Sequence, residues 1–216
     1  FIANRIGTFG MASVFHWMQE FGVGVAEVDV VFGPAMGRPK SAVFRTADIV
    51  GLDTMAHVLA TIGEGCPDDP WRDRFTIPEA MQALIDDGRL GAKTGAGFYK
   101  KVRGEQGSTI LSLDLETLDY VDTGKVRLPS VGAARKMDHA ADKIAAMLAF
   151  DDDHGRFAWK VTAETCIYAL ELLGEIADDI VNVDRALRWG FNYELGPFET
   201  WDAIGVEASV ERMRAE

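Results

Sequence analysis

The sequence predicts an all-α protein made of two homologous helical units with a small β-hairpin between them. Three observations predict it. Apolar residues recur at three-four spacing along most of the 216 residues. Alternation suited to strands is confined to FYKKV and TILSLDL, which flank the turn-like RGEQG. The order of long helix, short helix, glycine-proline loop and DxxG turn occurs twice.

In the first unit, Ile6, Phe9, Val14, Trp17 and Met18 set the apolar stripe of a helix from Ile2 to about Glu20, ending before Gly22 and Gly24. A short helix from Val25 to Phe32 stops at Gly33-Pro34, where proline cannot donate to a continuing helix. GPAMGRPK follows as a loop. A helix from Ser41 to Val50 is closed by Gly51, and Asp53 or Thr54 is placed to cap the next, TMAHVLATIG. Ile77-Pro78-Glu79 opens a fifth helix with proline in its first turn, closed at Asp86-Asp87-Gly88. GRLGAKTGAGFYKK, rich in glycine, reads as an irregular arm leading into the hairpin.

The second unit opens with a helical region from about Val131 to Ala149, broken by DDDHG at 151 to 155. A long helix from about Phe157 to Gly174 follows, then short ones at about Ile180 to Trp189, Pro197 to Ile204 and Val206 to Arg214. Aligning Phe1 with Phe157 sets Val28-Asp29 against Val183-Asp184 after one gap, and Asp48-Ile49-Val50-Gly51 against Asp202-Ala203-Ile204-Gly205. The units divide at 1–128, which includes arm and hairpin, and 129–216, a degenerate copy. The recurrence of Asp48 as Asp202 points to a shared capping or turn role.

Composition excludes several functions. A hydrophobic share of 48% with 26% charged residues is that of a globular chain, and no apolar run approaches membrane-spanning length. Thirty-four acidic against 22 basic residues give a net charge of −12, which repels nucleic acid but leaves room for an anionic small ligand held by local cations. Cys66 and Cys166 are too few for a metal cluster or disulfide framework and fit reduced thiols in a cytoplasm. The opening FIANRIGTFG has neither an initiator Met nor the features of a signal peptide, and reads as an internal cut in a longer protein.

FIANRIG, GPAMGRPKSAVFRTADIVGLDT and GAKTGAGFYKK resemble the C-terminal helical domain of 3-hydroxyacyl-CoA dehydrogenases, a domain of 6-phosphogluconate-dehydrogenase C-terminal-like fold. WGFNYELGPFETWDAIGVE resembles a second, divergent copy, as in the multifunctional fatty-acid oxidation enzymes that also carry an enoyl-CoA hydratase domain. The resemblance implies an NAD-dependent oxidoreductase of fatty-acid β-oxidation acting on 3-hydroxyacyl-CoA. In the family, NAD and the catalytic His-Glu pair belong to an N-terminal Rossmann domain. That domain is missing here, since no G-x-G-x-x-G joins a predicted strand to a helix. The fragment alone is therefore expected to bind no cofactor and to be inactive. Its expected partners are the substrate, the missing Rossmann and hydratase domains and a second copy in a homodimer.

The family's F-I-x-N-R asparagine matches Asn4, the expected catalytic residue, whose amide orients an oxygen without titrating. The alternative for Asn4 is a helix cap or first-turn polar residue. Arg5, Arg38 and Lys40 are candidate substrate-binding cations, with Arg45 and Lys93 nearby, each also readable as a surface charge or ion pair. Copy two has Lys160 opposite Asn4 and Val161 opposite Arg5, which points to a structural task. His16, His57, His139 and His154 have neither nucleophile nor metal spacing, and Trp17, Trp159, Trp189 and Trp201 fit packing positions. Two rival readings are a purely structural association module and a dehydrogenase of small hydroxy acids, whose catalytic lysine would be Lys160, in the wrong copy.

Overall fold

The computed structural model describes residues 1–104 and 107–216. Helix α1 (Ile2–Glu20) is its axis: every residue from Arg5 to Phe15 is buried, far more than one amphipathic face. It is covered from all sides because α4 (Leu52–Gly65) packs on it from the first half, and α8 (Asp153–Glu171) and α9 (Ile180–Phe191) from the second. Small residues permit the close approach. Gly10 faces Thr165 of α8, and the Phe191 ring of α9 lies directly over Gly7.

Around α1, the first half adds α2 (Val25–Val31), α3 (Phe44–Val50) and α5 (Glu79–Asp86), with 3-10 turns at Pro34–Met36, Arg72–Phe75 and Ala92–Thr94. Five helices precede residue 90, as the periodicity predicts. Their ends differ in instructive ways. Helix α3 starts at Phe44 rather than Ser41 because Ala42 takes a left-handed φ of 48°. The amides of Val43, Phe44 and Arg45 are then satisfied by the Asp29 carboxylate, at 3.0, 2.8 and 3.0 Å. Neither Asp53 nor Thr54 caps α4. Gly51, at φ 100°, ends α3 and starts α4 in one step, and Asp53 lies inside the first turn. Pro78 is the N-cap of α5 and not a residue of its first turn, so the helix begins at Glu79.

The arm leads into β1 (Tyr99–Gly104), which pairs antiparallel with β2 (Gly107–Leu113), Tyr99 opposite Ser112 and Lys101 opposite Ile110. The hairpin is as predicted, although its expected turn, RGEQG, falls partly outside the described residues. A third strand, β3 (Tyr120–Val121), pairs with β2 and makes a three-stranded sheet. Two residues are too few to show a period, which is why the sequence gives no sign of it.

The second half contains α6 (Pro129–Ala134), α7 (Ala140–Leu148), α8, α9, α10 (Pro197–Ile204) and α11 (Val206–Ala215). DDDHG does not merely interrupt: Asp152 accepts the Gly155 amide at 2.7 Å, so α8 begins inside that acidic stretch. Asp184 on α9 accepts the amides of Phe198 and Glu199, at 2.8 and 3.2 Å, as Asp29 does for α3. Gly205, at φ 85°, joins α10 directly to α11, as Gly51 joins α3 to α4. Buried apolar residues from both halves form one core, with Phe32 and Phe21 of the first meeting Phe157 of the second at 5.5 and 6.2 Å.

Candidate active site

Asn4 sits exposed in the first turn of α1. The N-cap is Phe1, and no side chain caps the helix, so Asn4 is not the cap. Its neighbour is wholly different. Arg5 is buried, and its guanidinium meets four partners: Nε donates to Tyr168 Oη at 2.6 Å and to Asp69 Oδ2 at 3.1 Å, Nη2 donates to the same oxygen and lies 3.6 Å from Glu175 Oε1, and Nη1 lies 2.6 Å from Cys66 Sγ. Tyr168 Oη in turn donates to Asp69 Oδ2 at 2.6 Å. The Asp69 side chain has 0% exposure, so both charges depend on each other.

Burial works against the Arg5 charge, and its hydrogen bonds to Tyr168 and Asp69 outweigh this, holding its pKa above the ordinary arginine value. Burial, reinforced by the hydrogen bond to Asp69, pushes the Tyr168 phenol up as well. Arg5 therefore stays charged and Tyr168 stays a neutral donor at physiological pH. Arg5 was a candidate for substrate contact, and the structure places it instead in an internal ion pair.

Arg38 is held between two aromatic rings, 4.6 Å from the Phe32 centroid and 4.7 Å from that of Tyr193 in the second half. It also lines a small cavity with Ile6 and Gly7, one turn along α1 from Asn4. Lys40 is exposed in a separate groove beside Arg45, Tyr99 and Lys101, with Ile49 and Ile110 as apolar walls. The structure thus brings Arg38, but not Lys40, to α1. Lys93 is paired with Asp53 at 2.6 Å, and Lys160 with Glu216 at 2.9 Å.

The glycine-rich arm packs on a carboxylate. Asp48 accepts the amides of Phe98 and Tyr99 at 2.8 and 2.9 Å, and burial raises its pKa. A Cβ at Gly97 would stand 2.1 Å from Asp48 Oδ1, and one at Gly91 2.3 Å from the Asp48 carbonyl oxygen. Asp202 is exposed, so the aligned aspartates do not share a task. The shared task belongs to Asp29 and Asp184.

Among the described residues, no group of three or more His, Cys, Asp or Glu is placed to hold a metal. His154 faces Glu27 at 3.6 Å, and burial followed by the Arg74 charge lowers the His16 pKa. Trp159 and Trp201 are buried and Trp17 is half-buried, whereas Trp189 is 78% exposed.

Sequence reasoning missed Asp69, Tyr168 and Cys66. One signal was available: Arg5 lies four residues before Phe9, on the face that must be buried, so it requires a carboxylate from elsewhere. Which of the many acidic residues supplies it depends on the path of the Cys66–Trp71 loop, which no periodicity fixes.

Residues 1–101 match the family described as the C-terminal domain of 3-hydroxyacyl-CoA dehydrogenase. They belong to it. The match begins one helical turn before the Arg5 cluster and ends on β1, so α1, the Asp29 cap and the Asp48-held arm all fall within the matched residues. The chain is similar to a protein named "Probable 3-hydroxyacyl-CoA dehydrogenase" of Bacillus subtilis, 46% identical over 213 residues, which are 99% of this chain and 26% of that one. A protein of the same name from Deinococcus radiodurans is 46% identical over 106 residues, 49% of this chain and 30% of its own length. A "Fatty acid oxidation complex subunit alpha" of Psychrobacter arcticus is 33% identical over 126 residues, 57% of this chain and 16% of its own. The chain thus spans about a quarter of the B. subtilis relative. Among the described residues, no helix is long and apolar enough to cross a membrane.

Proposed function

We propose that this chain is the substrate-side part of an NAD-dependent 3-hydroxyacyl-CoA dehydrogenase of fatty-acid β-oxidation, working in the cytoplasm as a segment of a longer enzyme. The single observation that carries the reading is Asn4: an exposed amide in the first turn of a buried helix, not used as a cap.

Oxidation at the 3-carbon removes the hydroxyl proton while a hydride leaves the same carbon. NAD, when bound, accepts that hydride. The glycine-rich arm does not fit a dinucleotide. Gly97 packs against the Asp48 carboxylate, which accepts the amides of Phe98 and Tyr99, and that charge repels a pyrophosphate. We therefore assign the nucleotide and the general base to parts of the enzyme outside these residues. The isolated chain is then inactive.

Asn4 supplies what a neutral amide can. Its N–H donates to the substrate oxygen as charge develops there, and its carbonyl accepts from a protonated neighbour. Arg38, beside Ile6 and Gly7, is the cation we retain for substrate contact, and Lys40 stands farther out as a candidate for the CoA phosphates.

Residues 129–216 are read as a degenerate copy of 1–128. The support is the Asp29 and Asp184 caps and the Gly51 and Gly205 junctions, set in corresponding helices. The packing of α1 on α8 would then join the copies about a pseudo-twofold axis.

Asn4→Ala in the full-length enzyme is expected to lower kcat for NADH formation from a 3-hydroxyacyl-CoA by about 10²–10³-fold, the scale of one lost oxyanion donor. Unchanged turnover would overturn the catalytic reading and leave the chain as an association module. NADH production by the purified 216-residue chain would overturn its assignment as an incomplete part.

A further inference from the structure

We infer that Tyr168 is a positioning residue for the dehydrogenase reaction: through Asp69 and Arg5, the second half of the chain sets the orientation of the turn that carries Asn4. This rests on the reading of Asn4 given above. The first turn of α1 lacks a capping side chain, so its leading amides are not tied down in the usual way. Something else must fix it.

Two contacts do so, and both reach into residues 129–216. One is the Arg5 cluster. The guanidinium, one residue from Asn4, is locked by two hydrogen bonds to Asp69 Oδ2 and one to Tyr168 Oη, while Tyr168 also donates to Asp69. A forked cation whose donors are fixed in this way is itself held in place, and through its stem it restrains the backbone at Arg5. The other is steric. A Cβ at Gly190 would lie 2.8 Å from Ala3 Cβ, and one at Gly7 would lie 2.4 Å from the Phe191 ring. Helix α9 thus seats the same turn from another side.

The repeat shows why this is a one-way arrangement. The position aligned with Arg5 is Val161, which is fully buried and carries no charge, and Lys160 is drawn away to Glu216. At the aligned positions the second half has neither the amide nor the arginine, and its Tyr168 holds the arginine of the first. On this inference it does more than associate.

The test is Tyr168→Phe in the full-length enzyme, which keeps the ring and deletes only the hydroxyl. We expect kcat to fall about tenfold with the KM for NAD unchanged, since small displacements of a reacting group carry penalties of that order. Tyr168→Phe should cause no further loss of kcat in an Asn4→Ala background, because its effect passes through Asn4. Hydrogen exchange should quicken in peptides covering residues 1–10 and not in those covering 11–20. Losses that multiply in the double variant, or an unchanged kcat in Tyr168→Phe, would overturn the inference while leaving Asn4 in place. A silent Asn4→Ala would overturn the functional reading instead. Should Tyr168→Phe fail to fold, Gly190→Ala disturbs the same turn from α9 and is held to the same double-variant outcome.

Discussion

Phe9 and Tyr168 lie face to face, ring centroids 3.9 Å apart and planes 16° from parallel. Trp71 meets Phe9 edge-on at 5.4 Å, so the pair is enclosed as well as stacked. This is where the long helix of one half is joined to the long helix of the other. Phe9→Ala would leave a void walled by rigid rings that cannot collapse into it. A loss of about 3–5 kcal/mol is expected, read as a lower urea midpoint with an unchanged slope. A loss below about 1 kcal/mol would show that the halves are held elsewhere.

Phe9 was legible in the sequence because its spacing from Ile6 and Val14 places it on the buried stripe. Its partner was not, because a helical period names a face and not what covers it. The same limit applies to Arg5: the pattern puts a charge on that face, but the partner, Asp69, comes from a loop whose course depends on Trp71 packing against the core. Alignment of the halves found Asp29 and Asp184, whose tasks agree, and also Asp48 and Asp202, whose tasks do not. Asp48 acquired its contacts from the arm, for which the second half has no counterpart beside Asp202. Correspondence in sequence fixes backbone position, and the neighbours decide the role.

The arm offers a direct check on that role. Gly97→Ala sets a Cβ 2.1 Å from Asp48 Oδ1, so the carboxylate must release the amides of Phe98 and Tyr99. The expected cost is about 1–3 kcal/mol, with faster proteolysis between residues 91 and 99. Gly95→Ala is the control: its Cβ would meet nothing within 4 Å, although φ of 82° carries a backbone penalty. Equal protease resistance in Gly97→Ala and the parent would show that Asp48 does not seat the arm.

Stability should also rise on mild acidification, contrary to the usual behaviour of carboxylates. Burial raises Asp29 and Asp184 from 3.8 to about 6, even though backbone amides pull the other way, and Asp48 is raised for the same reason. A raised folded pKa means that the folded state binds more protons between about 3.8 and 6. Stability from these groups is therefore full below 3.8 and lost as pH rises through 6. His16, lowered by burial, opposes them, one group against three. Glu216 is held down to about 2 by Arg212, Lys160 and Trp159 against its burial, so its contribution fails only below its ordinary 4.5. The urea midpoint is expected to increase from about pH 7 to about pH 5, and Asp184→Asn to flatten the rise. A midpoint that falls steadily over that interval would contradict the assignment.

Gly7 makes the sharpest demand on the joint between α1 and α9. A Cβ there would lie 2.4, 2.6 and 2.8 Å from three atoms of the Phe191 ring, so the ring covers the position broadly and cannot escape by turning its tip. Gly7→Ala gains helix propensity of about 1 kcal/mol in α1, and overpacking costs about 1–3 kcal/mol; the steric cost wins because α9 must shift as a body. Phe191→Leu removes the flat ring and should restore part of the loss in the double variant. The two effects are then strongly non-additive, as expected for side chains in contact. Thermal unfolding of the two single variants and the double one measures the coupling. Additive losses would mean that Phe191 and Gly7 do not press on one another in solution, and the steric seat of the first turn of α1 would have to be sought at Ala3 and Gly190 alone.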